Sequence, residues 1–249
     1  MPRVLLLGGT FDANLAAAAM ARAGVEAVYS YAGRTDAPAA QPLPTRVGGF
    51  GGVEGMLAYF AAQNITHVID ATHPFAAQIS DNAARACDAA GLPLLALVRA
   101  PWKAEAGDRW QNVADTKAAL AALPSEPARV FLAIGKQNLA AFAALAQHHY
   151  LLRLIDPPAV PPLANCTILI AKGPFDADSD AAMLRHHQIT HIIAKNAGGL
   201  GARAKLVAAR ALGLPVIMIA RPPAPLRAQV DSVEDMMVWL AHHHALRGV

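Results

Sequence analysis

The chain has 249 residues, 55% of them hydrophobic and 16% charged, with a formal net charge of +3. That is enough apolar material for one large core or two ordinary ones, and it excludes a disordered chain. A small positive excess suits an anionic ligand; a nucleic-acid partner is not expected, because no lysine- or arginine-rich run and no zinc-finger spacing occurs. The opening stretch MPRVLLLGGT is too short to span a membrane and runs into glycines rather than a cleavage signal. No membrane association is therefore expected, and the cytoplasm follows as the expected compartment. The two cysteines, Cys87 and Cys166, lie far apart in apolar segments and read as reduced core thiols. No CxxC and no cysteine–histidine cluster points to a metal.

Strand, turn and helix alternate along the chain. Residues 4–7 form a continuous apolar run of the kind that a parallel sheet buries on both faces. Gly8-Gly9-Thr10 ends it, and an alanine-rich helix is predicted over 15–22. A second strand follows at 25–30, then a long glycine- and proline-rich loop at 31–52, a helix at 53–62, a third strand at 66–70 and a long helix at 75–90. Leu92-Pro93 introduces a fourth strand, to Val98. A linker at 101–108 and an edge strand at 110–113 come next. Strands are then predicted at 130–134, 150–155, 167–171, 191–194 and 215–219, with helices at 138–146, 180–187, 202–212 and 230–245. This order predicts an α/β protein of two Rossmann-like, doubly wound parallel-sheet domains, residues 1–100 and 101–249, with a ligand cleft between them. The pattern also allows a terminal strand or helix to pack on the other domain.

In open α/β sheets ligands bind beyond the carboxyl ends of the strands, so the candidates lie in those turns. Gly8, Gly9 and Thr10 open a helix whose N–H groups and positive dipole end suit a phosphate; the full GxGxxG pattern is absent, and a tight turn without ligand is the alternative. Ser30, Gly33, Arg34 and Thr35 stand where NAD-binding folds carry an acid for the ribose. An arginine among small polar groups suits a 2′-phosphate and favours NADPH, against the alternative of a solvated loop. Arg46 precedes Gly48-Gly49-Phe50-Gly51, a loop able to lie flat on a ligand or close over it. Thr72 and His73 follow the third strand just before Pro74 opens a helix, where ligand contact and a structural cap are both open. In the second half, Lys136, Lys172 and Lys195 each follow or end a strand, with Asn196, Gly198, Gly199 and Lys205 further on. Lysines at three strand ends are expected to converge on an anionic ligand, scattered surface charge being the alternative. The remaining histidines, at 148–149, 186–187 and 242–244, read as solvated surface residues.

The stretches LLLGGT, SYAGRT, RVGGFGG, IDATHPFA with Ile79 and Ser80, AIGKQNL, AKGPF, AKNAGGLGARAKLVAAR and VIMIARP run in this order from Leu5 to Pro222. Together they resemble the precorrin-6A reductase family, NADPH-dependent reductases of cobalamin biosynthesis. One departure is that the family often has a glutamate shortly after GGT, where the nearest acid here is Asp12. The resemblance implies hydride transfer from NADPH to a ring double bond of the polycarboxylate tetrapyrrole precorrin-6A, giving precorrin-6B, without a metal. It implies a pyrophosphate or nicotinamide contact for Gly8, Gly9 and Thr10. Ser30, Gly33, Arg34 and Thr35 would hold the adenosine end, and Gly48, Gly49, Phe50 and Gly51 would cover the cofactor. Arg46, Thr72, His73, Lys136, Lys172, Lys195, Asn196, Gly198, Gly199 and Lys205 would line the substrate side. His73, Lys195 or water would supply the proton. The implied partners are the tetrapyrrole and neighbouring pathway enzymes. The residues leave open a cobalt-precorrin-6A reductase and a non-catalytic NADP-binding sensor, although no output surface such as a DNA-binding helix pair is evident.

Overall fold

The computed structural model of the chain describes residues 3–33, 39–173, 175–199 and 201–247. The chain divides into two units, one made of residues up to Ala100 together with those from Pro223 onward, the other of Pro101–Pro222.

The first unit begins with β1 (Arg3–Leu7), α1 (Phe11–Arg22), β2 (Glu26–Tyr31), β3 (Thr45–Val47), α2 (Gly52–Ala62), β4 (His67–Asp70), α3 (Ala77–Ala90) and β5 (Leu94–Leu97). Val4 to Leu7 and all of β4 are buried, as expected of strands covered on both faces. Alternate residues of β1 feed opposite cores. Val4 and Leu6 pack with Ala13, Ala16, Ala17 and Met20 of α1, and Leu5 and Leu7 with Met56, Phe60, Ala83 and Cys87. The i, i+3, i+4, i+7 spacing of the α1 set is what turns one stripe of that helix to the sheet. Burial pushes the Cys87 thiol up to about 12, so it stays protonated.

The second unit holds β6 (Arg109–Val113), α4 (Thr116–Ala121), β7 (Arg129–Ala133), a 3-10 segment (Lys136–Ala144), β8 (His149–Leu154), β9 (Cys166–Ile170), α5 (Ala177–His186), β10 (His191–Lys195), α6 (Ala204–Ala211) and β11 (Pro215–Ile219). The chain then returns to the first unit with β12 (Ala228–Val230) and α7 (Val233–Arg247). Both sheets are wholly parallel, ordered β12-β5-β4-β1-β2-β3 and β6-β11-β10-β7-β8-β9.

Residues 223–249 therefore do not belong with 101–222, as a division at residue 100 expects. β12 pairs with β5 (Ala228↔Leu95, Gln229↔Ala96, Val230↔Leu97), and Met236 and Leu240 of α7 enter the core beside α1. Without β12, the buried strand β5 would be an open apolar edge, which sheets avoid. Local differences accompany this one: α1 begins at Phe11 rather than 15, and α4 forms where no helix is predicted. The 31–52 loop contains β3, and the segment predicted as a helix at 138–146 is the 3-10 stretch. The last helix starts at Val233 rather than 230, because Ser232 caps it: the Asp235 amide donates to Ser232 Oγ at 3.0 Å, and that hydroxyl donates to Asp235 Oδ2 at 2.7 Å.

Candidate functional site

The strand order reverses direction of winding between β1 and β4 in the first sheet, and between β7 and β10 in the second. A crevice opens at the carboxyl ends of such strands, and each switch point collects several of the sequence candidates.

At the first, Thr10 caps α1. Its hydroxyl accepts from the Ala13 amide at 3.1 Å and donates to the Ala71 carbonyl at 2.8 Å, tying the turn after β1 to the turn after β4. The first-turn amides of Phe11 and Asp12 have no intrahelical carbonyl to bond and lie at the positive end of the helix. The Asp12 carboxylate, which would oppose an anion there, is paired with Arg99. Gly8 has a different reason for being glycine than a phosphate: a Cβ on it would lie 2.2 Å from the Tyr29 ring. The Tyr29 hydroxyl accepts from the Gly9 amide and donates to Asn14 Oδ1, both at 2.8 Å, and burial raises its pKa above the ordinary tyrosine value. The Gly9 amide is thus already engaged inside the protein.

Beside it, at the ends of β2 and β3, Arg46 donates to Ser30 Oγ at 2.8 Å and to the carbonyls of Gly48 and Gly49 at 2.9 and 3.0 Å. Its guanidinium lies 3.9 Å from the Phe50 ring centroid. Arg46 therefore shapes the glycine loop and stands with Ser30 at the ends of β2 and β3. Gly33 lies against Gly48, and Gly51 in the left-handed region at φ 83° caps α2. Arg34 and Thr35 lie outside the described residues.

Across the switch point, Asp70 ends β4 with 1% exposure. Its Oδ1 accepts from the Thr72 amide at 3.1 Å and the Thr72 hydroxyl at 2.6 Å, and its Oδ2 accepts from Ser80 Oγ at 2.6 Å. Half-buried His73 follows, its Nδ1 accepting from the Phe75 amide at 3.2 Å. That bond needs Nδ1 unprotonated, which puts the proton of the neutral ring on Nε2.

In the second unit, Lys195 ends β10, and Lys136 stands three residues after the neighbouring strand β7. Lys172 follows the edge strand β9, two places from β7. Lys136 and Lys172 are exposed; Lys195 is half-buried, and burial lowers its pKa from the usual lysine value. Lys205 is set apart from them. It is 5% exposed, it donates to the Ala202 carbonyl, and its ammonium lies 5.1 Å from the Trp102 ring. Burial and the nearby Arg153 guanidinium bring it down to about 8. Asn196 and Gly199 hold Trp102 as well. The Trp102 amide donates to Asn196 Oδ1 at 2.8 Å, Asn196 Nδ2 donates back to the Trp102 carbonyl at 2.9 Å, and the indole donates to the Gly199 carbonyl at 2.7 Å. Gly198 is buried in the same turn.

Sequence reasoning missed four contributors. Tyr29 resembled one more core residue of β2. Asp70 resembled the polar end of a strand, although a carboxylate closing an all-apolar run was the available signal. Arg227 and Trp102 make contacts across 157 and 94 residues, which no local pattern displays.

Two doubly wound sheets, with a capped helix terminus at one switch point and lysines at the other, define a protein of the Rossmann-type class. The model of the precorrin-6x reductase CbiJ/CobK family matches residues 3–241. Precorrin-6A reductase of Rhodobacter capsulatus is 59% identical over 251 residues, covering 100% of both chains. That of Rhodococcus erythropolis is 45% identical, covering 96% of this chain and 98% of its own. A solved structure described as CobK precorrin-6A reductase superposes with a TM-score of 0.95 at 59% identity, covering 98% of this chain and 97% of the other. The chain belongs to the precorrin-6x reductase family, whose members are reductases.

Proposed function

We propose that this chain is a cytoplasmic reductase that transfers a hydride from NADPH to a ring double bond of precorrin-6A, giving precorrin-6B. The observation that carries the cofactor half of this reading is the first switch point. There a Thr10-capped helix terminus, its Asp12 charge offset by Arg99, lies in the same crevice as Ser30 and Arg46.

The residues present fit a dinucleotide. The Phe11 and Asp12 amides are oriented for a pyrophosphate. β2 ends in Ser30 and Tyr31 rather than an acid, so no carboxylate closes that strand against a 2′-phosphate, and Arg46 supplies positive charge beside Ser30. The Gly48–Gly51 loop with Phe50, shaped by Arg46, would cover the adenosine end. When bound, the nicotinamide supplies the hydride, and the protein's task is to hold and orient.

On the substrate side, Lys136, Lys172 and Lys195 meet carboxylates of the macrocycle, while Asn196, Gly198, Gly199 and Lys205 support them by holding Trp102 and the turn after β10. The proton required by the reduced ring comes from His73 Nε2 or from Lys195, whose lowered pKa eases release.

The test is anaerobic incubation of the purified chain with NADPH and precorrin-6A, following loss of nicotinamide absorbance together with the pigment spectrum. Turnover with NADPH that stops with NADH is the expected result. NADPH binding with turnover only of cobalt-precorrin-6A would move the assignment to the cobalt-bearing substrate. Arg34→Ala should weaken NADPH far more than NADH; equal loss for both in a titration would remove the 2′-phosphate role.

A further inference from the structure

We propose that Asp70, Ser80 and Arg227 form a positioning triad that sets the turn carrying Thr72 and His73, so that the geometry of the reactive turn depends on the segment returning after residue 222. This inference rests on the functional reading above.

Asp70 is the hub. Four donors from three parts of the chain converge on its two oxygens. Thr72 N and Oγ1 reach Oδ1 from the following turn, Ser80 Oγ reaches Oδ2 from α3, and Arg227 Nη2 faces Oδ2 at 3.0 Å from just before β12. Arg227 also approaches the Ser80 carbonyl through Nη1, at 3.5 Å. The Asp70 side chain is 1% exposed and that of Arg227 9%. A buried ion pair is a poor device for stability alone, since taking two charges from water offsets most of their attraction. Charge-assisted bonds at short distance do fix geometry.

The geometry fixed is that of the turn. An aspartate accepting from the amide two residues ahead sets the chain's direction, and Pro74 leaves the next peptide little freedom. The Ala76 amide then donates to the His73 carbonyl at 2.7 Å, and the Phe75 amide to His73 Nδ1 at 3.2 Å. The imidazole orientation is thereby tied, bond by bond, to Asp70. Arg227 precedes Ala228, the first residue of β12, so docking of β12 on β5 delivers the guanidinium to the carboxylate.

The experiment uses the full chain with Ser80→Ala, Arg227→Ala and Arg227→Lys, measured beside the wild type. Three readouts are taken: kcat and KM with NADPH and precorrin-6A, the NADPH Kd by fluorescence, and the His73 ring resonances of the ligand-free protein, assigned with His73→Gln. The expected result is a kcat per folded site reduced about tenfold or more in Arg227→Ala and about threefold in Ser80→Ala, a misplacement effect. NADPH Kd stays within about twofold, the His73 resonances move in both variants, and Arg227→Lys recovers most of kcat. Unmoved His73 resonances and full kcat per folded site in Ser80→Ala overturn the proposal, and Ser80→Ala decides alone if Arg227→Ala does not fold. NADPH affinity falling in step with kcat also overturns it, because the triad would then serve the whole fold. A wild-type chain that turns over while the variants match it removes only the triad; a wild type without turnover removes the reading beneath it too.

Discussion

The two switch points share a topology and differ in where their positive character resides. In the first unit it lies in the backbone, at the terminus of α1, with the acid of that helix's first turn, Asp12, already paired. In the second the segment after β7 is a 3-10 stretch rather than an α-helix, and the charge is carried by side chains at the strand ends. Backbone amides suit a ligand group held in one place at close range, such as a pyrophosphate. Lysines on long stems suit carboxylates spread round the rim of a larger molecule. On the function proposed above, one fold used twice yields two kinds of anion site, the first rigid and the second adaptable.

The comparison breaks most visibly where charge serves structure. Arg153 and Asp180 form a buried ion pair in the second unit, with the Arg153 guanidinium 3.7 Å from the Phe175 ring centroid. Asp180→Ala leaves Arg153 buried without its partner, beside Lys205. A loss of about 3–5 kcal/mol is expected in urea denaturation, with the first unit's transition unchanged.

The next effect tests the rigid site. Gly8→Ala forces a methyl into the Tyr29 ring and should cost about 3 kcal/mol while displacing the turn that feeds α1. Combining it with Tyr29→Leu should restore part of the stability lost. No recovery in the double variant would show that Gly8 answers to something other than the ring.

The adaptable site is tested by Lys136→Ala. Its side chain is exposed, so stability should change by less than about 0.5 kcal/mol. The KM for the tetrapyrrole should rise about fivefold to tenfold, as expected for one lost charge-assisted contact of 1–1.4 kcal/mol. NADPH binding should be unchanged, whereas Arg46→Ala should show the opposite pattern in the same titrations.

The smallest effect concerns pH. Burial lowers His148, His187 and His191 below the ordinary histidine value, and nearby positive groups push the last two down further. As pH falls, the unfolded chain binds those protons first. The second unit is therefore fully stable above about 6.5 and weakens as pH falls through that value toward the lower folded pKa values. His191→Gln should flatten the decline in urea midpoint between pH 7.5 and 5.5. An unaltered slope would remove His191 from the account.

Much of this architecture is legible in the sequence because parallel sheets demand continuous apolar runs, and VLLL, HVID and VIMI announce themselves. The strand-end lysines follow from the same alternation. β3 and β12 escaped because TRV and AQV are short and half polar, and pairing with a neighbour, not composition, makes them strands. Gly8 was singled out for a ligand, and the structure adds a steric reason for glycine there, the ring of a residue 21 positions away. Asn196 and Gly199 read as ligand contacts, and the partner that the structure gives them, Trp102, lies nearly a hundred residues earlier. Lys205 read as one more substrate-side lysine, because nothing in a local pattern reveals that a lysine stem will be buried beside an indole.

The reciprocal sixth places of the two sheets have a consequence for biosynthesis. The second unit is one uninterrupted stretch, and its outer strand β6 is made before the strand it joins, so every part is in hand once residue 222 has left the ribosome. The first unit waits. Its β5 edge stays uncovered until β12 and α7 emerge, some 130 residues later. Synthesis ordinarily lets the earlier domain fold first; here the half translated first is completed last, and its exposed LLAL edge is the surface a chaperone would be expected to shield in the interval.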